Sequence, residues 1–134
     1  MKVDKDTALM LWEYVYGNKI WATDCFGTYI YRDDYGDLKT KRIRPNGTGE
    51  SYNYGWSVDH IMPEAQGGKD HLNNYEPMHQ SNNSTKSDLL NFKINDVSYQ
   101  VVKCDISPGY GYGIKSLRTG KRVDWKAVQS KSFR

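Results

Sequence analysis

Val58-Asp59-His60-Ile61-Met62-Pro63 is followed at fixed distances by Gly67-Gly68, Asn74, Asn83 and Lys86. An aspartate beside a histidine is commonplace. The same pair followed within about thirty residues by a Gly-Gly turn, an isolated Asn and an Asn-x-x-Lys is not. The pattern restricts the fold, because groups far apart in sequence have to converge for their chemistry to be used. A carboxylate, an imidazole and amide oxygens together can hold a hard divalent cation beside a general base. That is the minimum equipment for hydrolysing a phosphodiester.

The local pattern around these residues predicts strand, loop, strand, helix. Gly55 to Ile61 alternates Trp56 and Val58 and is expected to be a strand leading into the Asp-His pair. Trp56 is expected to anchor the core. Pro63 to Asp70 reads as a loop with a Gly-Gly turn, Leu72 to Met78 as a second strand, and Ser81 to Leu90 as a helix opened by small polar caps. In an extended backbone Asp59 and His60 point to opposite sides, so one can hold metal while the other addresses water. Upstream, Asp6 or Thr7 is expected to cap a helix carrying Ala8, Leu11, Trp12, Val15 and Tyr16 and ended by Gly17. Short strands are expected at 20–23 and 27–31, a basic strand at 38–44, and a loop over 46–55. Downstream, 92–104 should form a hairpin turning at Asn95-Asp96. Residues 108–113 read as a Gly/Tyr loop, and 114–117 with 121–125 as a final hairpin.

The length, 134 residues, suggests one domain. Its apolar content leans on aromatics, with 11 Tyr, 4 Trp and 3 Phe, which suit a small core close to a polar surface. The net charge of +3 is unevenly spread. Acidic residues outnumber Lys and Arg by seven to four up to Leu38, whereas eight Lys or Arg face two Asp from Val101 onward. Lys39, Lys41, Arg42 and Arg44 form a second basic run. Such runs are either solvated faces or surfaces for a polyanion. Cys25 and Cys104 form no Cys-x-x-Cys, so a zinc knuckle or redox motif is excluded, and a disulfide between them stays open. No apolar stretch suits a signal peptide or a membrane span, so a soluble cytoplasmic protein of prokaryotic or phage type, with no membrane partner, is expected.

Residues 55 to 88, about a quarter of the chain, resemble the HNH endonuclease family. The residues that carry the resemblance are Asp59-His60, Gly67-Gly68, Asn74, Asn83 and Lys86. His60 to Asn74 spans fourteen positions and Asn74 to Asn83 nine, and both spacings suit the family. The resemblance implies an α+β fold with a ββα-metal (His-Me finger) core over about 54–91, an N-terminal helix and additional small antiparallel strands, including a C-terminal β extension over 92–134. It implies that His60 is the general base and that Asn74 completes the catalytic set by bracing the loop. Asp59 and Asn83 would bind one divalent ion, Mg²⁺ or Mn²⁺. Some family members place a further metal ligand at the position of His79. Lys86 would contact the nucleic-acid backbone, unless it is a plain exposed lysine. Glu64 and Asp70 are expected in solvent, and His71, which matches nothing in the family, is expected to be a loop histidine. Many relatives flank the motif with zinc-binding Cys-x-x-Cys pairs. Here the downstream positions carry His79 and Asn82, so a structural zinc is not expected.

The reading is therefore a metal-dependent endonuclease acting on DNA, with RNA not excluded, as a monomer or homodimer. The alternatives are a nucleic-acid-binding module that keeps the shape without the chemistry, and a metal-stabilised protein with no nucleic-acid role.

Overall fold

The computed structural model describes residues 3–104 and 111–132. It is an α+β arrangement of helices and small antiparallel sheets. Helix α1 (Lys5–Tyr16) begins earlier than the sequence suggested. Asp4 is extended, and its Oδ1 accepts the Thr7 N–H at 2.8 Å, so Asp6 and Thr7 fall inside the first turn. Ala8, Leu11 and Trp12 lie on the buried stripe, and Gly17 closes the helix.

Strands β1 (Trp21–Thr23) and β2 (Tyr29–Tyr31) form one hairpin. Strands β3 (Lys41–Ile43) and β4 (Ser51–Asn53) form another. Strand β4 lies in the stretch expected to be loop throughout. Its Gly- and Asn-rich flanks hide it, and partners distant in sequence make it. Arg42 pairs with Tyr52, and the Asn53 amide donates to the carbonyls of Asp37 and Thr40.

The central hairpin is β5 (Trp56–His60) with β6 (Tyr75–His79), followed directly by α2 (Gln80–Lys86). The expected strand from Leu72 instead opens with a 3-10 turn over Leu72–Asn74. Helix α2 stops at Lys86 rather than Leu90, because Ser87 takes a positive φ of 47°. Three strands follow: β7 (Asn91–Ile94), β8 (Val97–Cys104) and β9 (Gly111–Ser116), in that order in one sheet. The turn at Asn95-Asp96 falls where the sequence placed it, with both residues left-handed as a tight hairpin turn requires. Half of the expected Gly/Tyr loop, residues 108–110, lies outside the described residues, while 111–113 belong to β9. The final hairpin forms only in reduced form, with Ser116 N–H donating to the Lys121 carbonyl at 2.9 Å and Val123 N–H to the Ile114 carbonyl at 2.8 Å. A single bridge joins Lys115 to Arg122, and α3 (Trp125–Ser132) follows. The Asp124 carboxylate accepts from the Ile114 N–H and from Arg122, and its carbonyl accepts from Ala127 and Val128, which starts a helix instead of a strand.

The central hairpin is covered on both faces. Trp56, Val58 and Tyr75 pack on Ala8, Leu11 and Trp12 of α1, with the Trp12 and Trp56 rings 5.0 Å apart. Met78, on the opposite face, joins Ile61, Phe92, Ile94, Tyr99 and Ile114. Burying one such aromatic or aliphatic side chain contributes roughly 1.5–3 kcal/mol, so these two clusters fix the hairpin firmly. Cys25 and Cys104 form no disulfide. Among the described residues no helix is long and apolar enough to cross a membrane.

Candidate active site

Strand alternation separates Asp59 from His60. Asp59 sits opposite Glu76 on the face that α2 covers, and His60 sits opposite Tyr75 on the other. The His60 and Tyr75 rings meet edge to face at 5.2 Å. Both residues, at the last two positions of β5, line a cleft of about 180 Å³ together with Val58, Pro63, Glu64, Asn83, Ser87 and Asp88.

Helix α2 brings Asn83 to this cleft. The Asn83 Nδ2 donates to Ser57 Oγ at 2.6 Å, which fixes the amide and leaves its Oδ1 as the atom that can ligate. The helix is held in place by Asp24. That buried carboxylate accepts from the His79 backbone N–H and from Asn82 Nδ2, both at 2.9 Å, and from the N–H groups of Phe26 and Thr28. Of the two consecutive asparagines, Asn82 therefore secures the helix and Asn83 faces the cleft.

The loop from Ile61 to Asn73 is gathered around Asn74, which is 4 % exposed. Its Oδ1 accepts from the Met62 N–H at 2.9 Å, and its Nδ2 donates to the carbonyls of Met62 and Lys69, both at 3.0 Å. The Gly-Gly pair has two separate causes. Gly67 turns the chain with φ +94°, and a Cβ on Gly68 would meet the Met62 carbonyl oxygen at 1.7 Å.

Lys86 requires a correction. It was expected to reach a substrate backbone or to lie exposed, yet its side chain has no exposed surface. Its Nζ lies 3.2 Å from Asp59 Oδ1, 3.1 Å from Oδ2 and 3.1 Å from the His60 carbonyl oxygen. A buried ammonium is retained only where charge and hydrogen bonds offset its lost hydration, and here Asp59 supplies both. The contact to Oδ2 is coulombic. That oxygen is buried, and no hydrogen bond reaches it. Burial pushes the Asp59 carboxyl up to about 6, with the Lys86 ammonium opposing the rise.

His79 also differs from the expected third ligand. It ends β6 instead of standing on the first turn of α2. Its Nδ1 accepts from the Ser81 N–H at 3.0 Å, and its Nε2 donates to the Asn53 carbonyl at 3.0 Å. Both ring nitrogens are used, so His79 caps the helix and ties it to β4. His71 is an exposed loop residue whose ring Nδ1 meets the Asn73 side chain at 2.8 Å and the Asn73 N–H at 3.2 Å.

Three carboxylates were missed by the sequence reading. Asp70 Oδ1 lies 2.6 Å from His60 Nε2, and Glu64 Oε1 lies 3.3 Å from it. Asp88 lines the cleft beside Ser87. Each is an ordinary loop residue in sequence, and only Glu64, four positions after His60, had a spacing that could have drawn notice. Two donor sets can therefore be considered for a cation. The first is Asp59 Oδ2 with Asn83 Oδ1, hard oxygens suited to Mg²⁺ or Mn²⁺. The second is His60, Glu64 and Asp70, whose donor atoms lie within 4.8 Å of one another. The excess of carboxylates makes the cleft attractive to cations in either case.

The family model described as HNH endonuclease matches residues 46–89. This segment carries β4, the central hairpin and α2, and the match bears out the resemblance drawn from Asp59-His60, Asn74 and Asn83. The chain thus carries an HNH segment, of a family that is nuclease-type or nucleic-acid-binding and generally uses a divalent metal. No curated protein and no solved structure matches the chain.

Proposed function

We propose that this protein is a metal-dependent endonuclease that hydrolyses phosphodiester bonds in DNA, its β5, β6 and α2 forming a ββα-metal core within one nuclease domain. The observation that carries the reading is the shared cleft. Asp59, with a buried carboxylate oxygen that receives no hydrogen bond, lines it together with Asn83 and His60. Asp59 and Asn83 would hold the ion, which supplies Lewis-acid stabilisation of charge on the phosphate and the leaving oxygen. His60 takes the proton from water as it attacks. Asn74 holds the loop beneath that histidine. The expected products carry a 5′ phosphate and a 3′ hydroxyl, and a monomer or homodimer nicks or cuts accordingly.

The test is supercoiled plasmid incubated with Mg²⁺ or Mn²⁺, with and without EDTA. His60→Ala is expected to lower the rate by on the order of 10²–10⁴-fold. Cutting at the parental rate by His60→Ala would remove the histidine from its role. One observation favours a second reading, a nucleic-acid-binding module without cleavage. The Lys86 ammonium already sits against Asp59, so a positive charge is present where the ion is needed. DNA binding that weakens with salt, and no cleavage with any divalent ion, supports that reading instead.

A further inference from the structure

We infer that Asp70 is a positioning residue for His60: it accepts the Nε2–H and so leaves Nδ1 as the basic nitrogen of the ring. The catalytic half of this inference rests on the nuclease reading above, and the tautomeric half does not.

A neutral imidazole has one N–H and one lone pair, and the partner of one nitrogen decides the state of the other. His60 Nε2 has an acceptor at 2.6 Å in Asp70 and a second, more distant one in Glu64 at 3.3 Å. Carboxylates cannot donate when ionised, so the proton resides on Nε2. Among the described residues Nδ1 has no hydrogen-bond partner, and its ring borders the cleft. The lone pair is thus on Nδ1, the ring nitrogen that no group among the described residues occupies. The carboxylate also offsets the positive charge that the ring acquires when it accepts a proton, the logic of a histidine oriented by an acid.

The same three side chains could instead be a preformed cation site, and the distances argue against that. Neighbouring ligands on an octahedral ion at ~2.1 Å stand about 3.0 Å apart. The Nε2 to Oδ1 contact, at 2.6 Å, is closer and matches a charge-assisted hydrogen bond.

The placement of Asp70 is built into the loop. Asn74 donates to the carbonyl of Lys69, the residue immediately before Asp70, and it holds both polar groups of Met62 at the other end of the loop. Asn74 therefore acts on the histidine through Asp70. A side chain that is 48 % exposed needs such an anchor to stay at one distance from the ring.

Two measurements on the full chain with Mg²⁺ test this. The first is ¹⁵N NMR of the histidine side chains at pH 8, with the His60 signal assigned by its loss in His60→Ala. The parent is expected to carry the proton on Nε2. Asp70→Asn, Glu64→Gln/Asp70→Asn and Asn74→Ala are each expected to move proton population to Nδ1, most in the double variant, with parental circular dichroism as the folding control. The second is cleavage kinetics. Asp70→Asn is expected to lower kcat about ten- to a hundred-fold with KM within about twofold, and Asp70→Glu to recover most of the loss. A parent protonated on Nδ1, or a tautomer unmoved in the double variant, overturns the inference. So does Mn²⁺ broadening that reaches the His60 ring and is abolished by Asp70→Asn, since that places an ion at the cluster. If the parent does not cut DNA, the nuclease reading fails, and the NMR arm still decides whether Asp70 sets the tautomer.

Discussion

Lys86 and Asp59 form an ion pair with almost no exposed surface on either side chain. Removing one member of such a pair leaves the other as an uncompensated buried charge, at roughly 3–5 kcal/mol. Lys86→Met should therefore lower the melting temperature strongly in EDTA. Adding Mn²⁺ should raise it more in the variant than in the parent, because the ion then supplies the positive charge that Asp59 has lost. An equal Mn²⁺ shift in the two proteins would separate Asp59 from ion binding. Glu76 gives a pH test. Its carboxyl is held well above the usual range by burial and then by the Asp124 carboxylate. The folded state thus keeps a proton that the unfolded chain releases above pH ~4.5, so stability falls as pH rises from there. Glu76→Gln keeps the acceptor for the Trp125 N–H, which Glu76 receives at 3.1 Å, without the ionisable group. Thermal melts should show the variant more stable than the parent at pH 8, with the two converging near pH 4. At this scale the sequence singled out Asp59, His60 and Asn83, which border one cleft, but not their partners. Asp59, His60, Asn74 and Asn83 were legible because their types and spacings agree. The burial of Lys86 was not, since a lysine three residues after an asparagine looks alike whether it points in or out.

Among the elements, α2 is short, and a helix of seven residues has little stability of its own. It depends on Asp24, whose carboxylate joins it to the turn between β1 and β2. Asp24→Ala orphans the His79 N–H, the Asn82 amide and two turn N–H groups, and should cost roughly 2–4 kcal/mol. It should also weaken Mn²⁺ binding, measured calorimetrically, because Asn83 rides on the same helix. Unchanged affinity in a folded variant would detach Asn83 from the ion. The legible elements were those with strong local signals: α1, β5, and the β7–β8 hairpin with its Asn-Asp turn. Strand β4 and helix α3 were hidden for a common reason. The first is created by pairing with β3, and the second starts where the Asp124 carboxylate is occupied by the Ile114 N–H on β9, pairings that the local residue pattern does not signal.

Across the whole molecule, sequence order conceals how far the C-terminal third supports the motif. Trp125 Nε1 donates to the Tyr75 carbonyl at 2.7 Å, and Lys126 Nζ donates to the carbonyls of Asn73 and Tyr112. Helix α3 thereby grips the segment on either side of Asn74, although the tail had been read as strands. The basic run also changes meaning in three dimensions. Arg42 makes two bonds to the buried Asp34 carboxylate, at 2.8 and 2.9 Å, and so serves the fold, while Arg44 lies over the Tyr29 ring. The central hairpin, walled in by α1 on one side and by α2 and the three-stranded sheet on the other, has a kinetic consequence. Trp56, Val58 and Asp59 are buried between these walls, so in native-state deuterium exchange their amides should be among the last to be labelled, near the free energy of global opening. Amides of the exposed β3–β4 ribbon should label orders of magnitude sooner. Early labelling at Val58 and Asp59 would mean that the walls part independently, and that the cleft opens without the molecule coming undone.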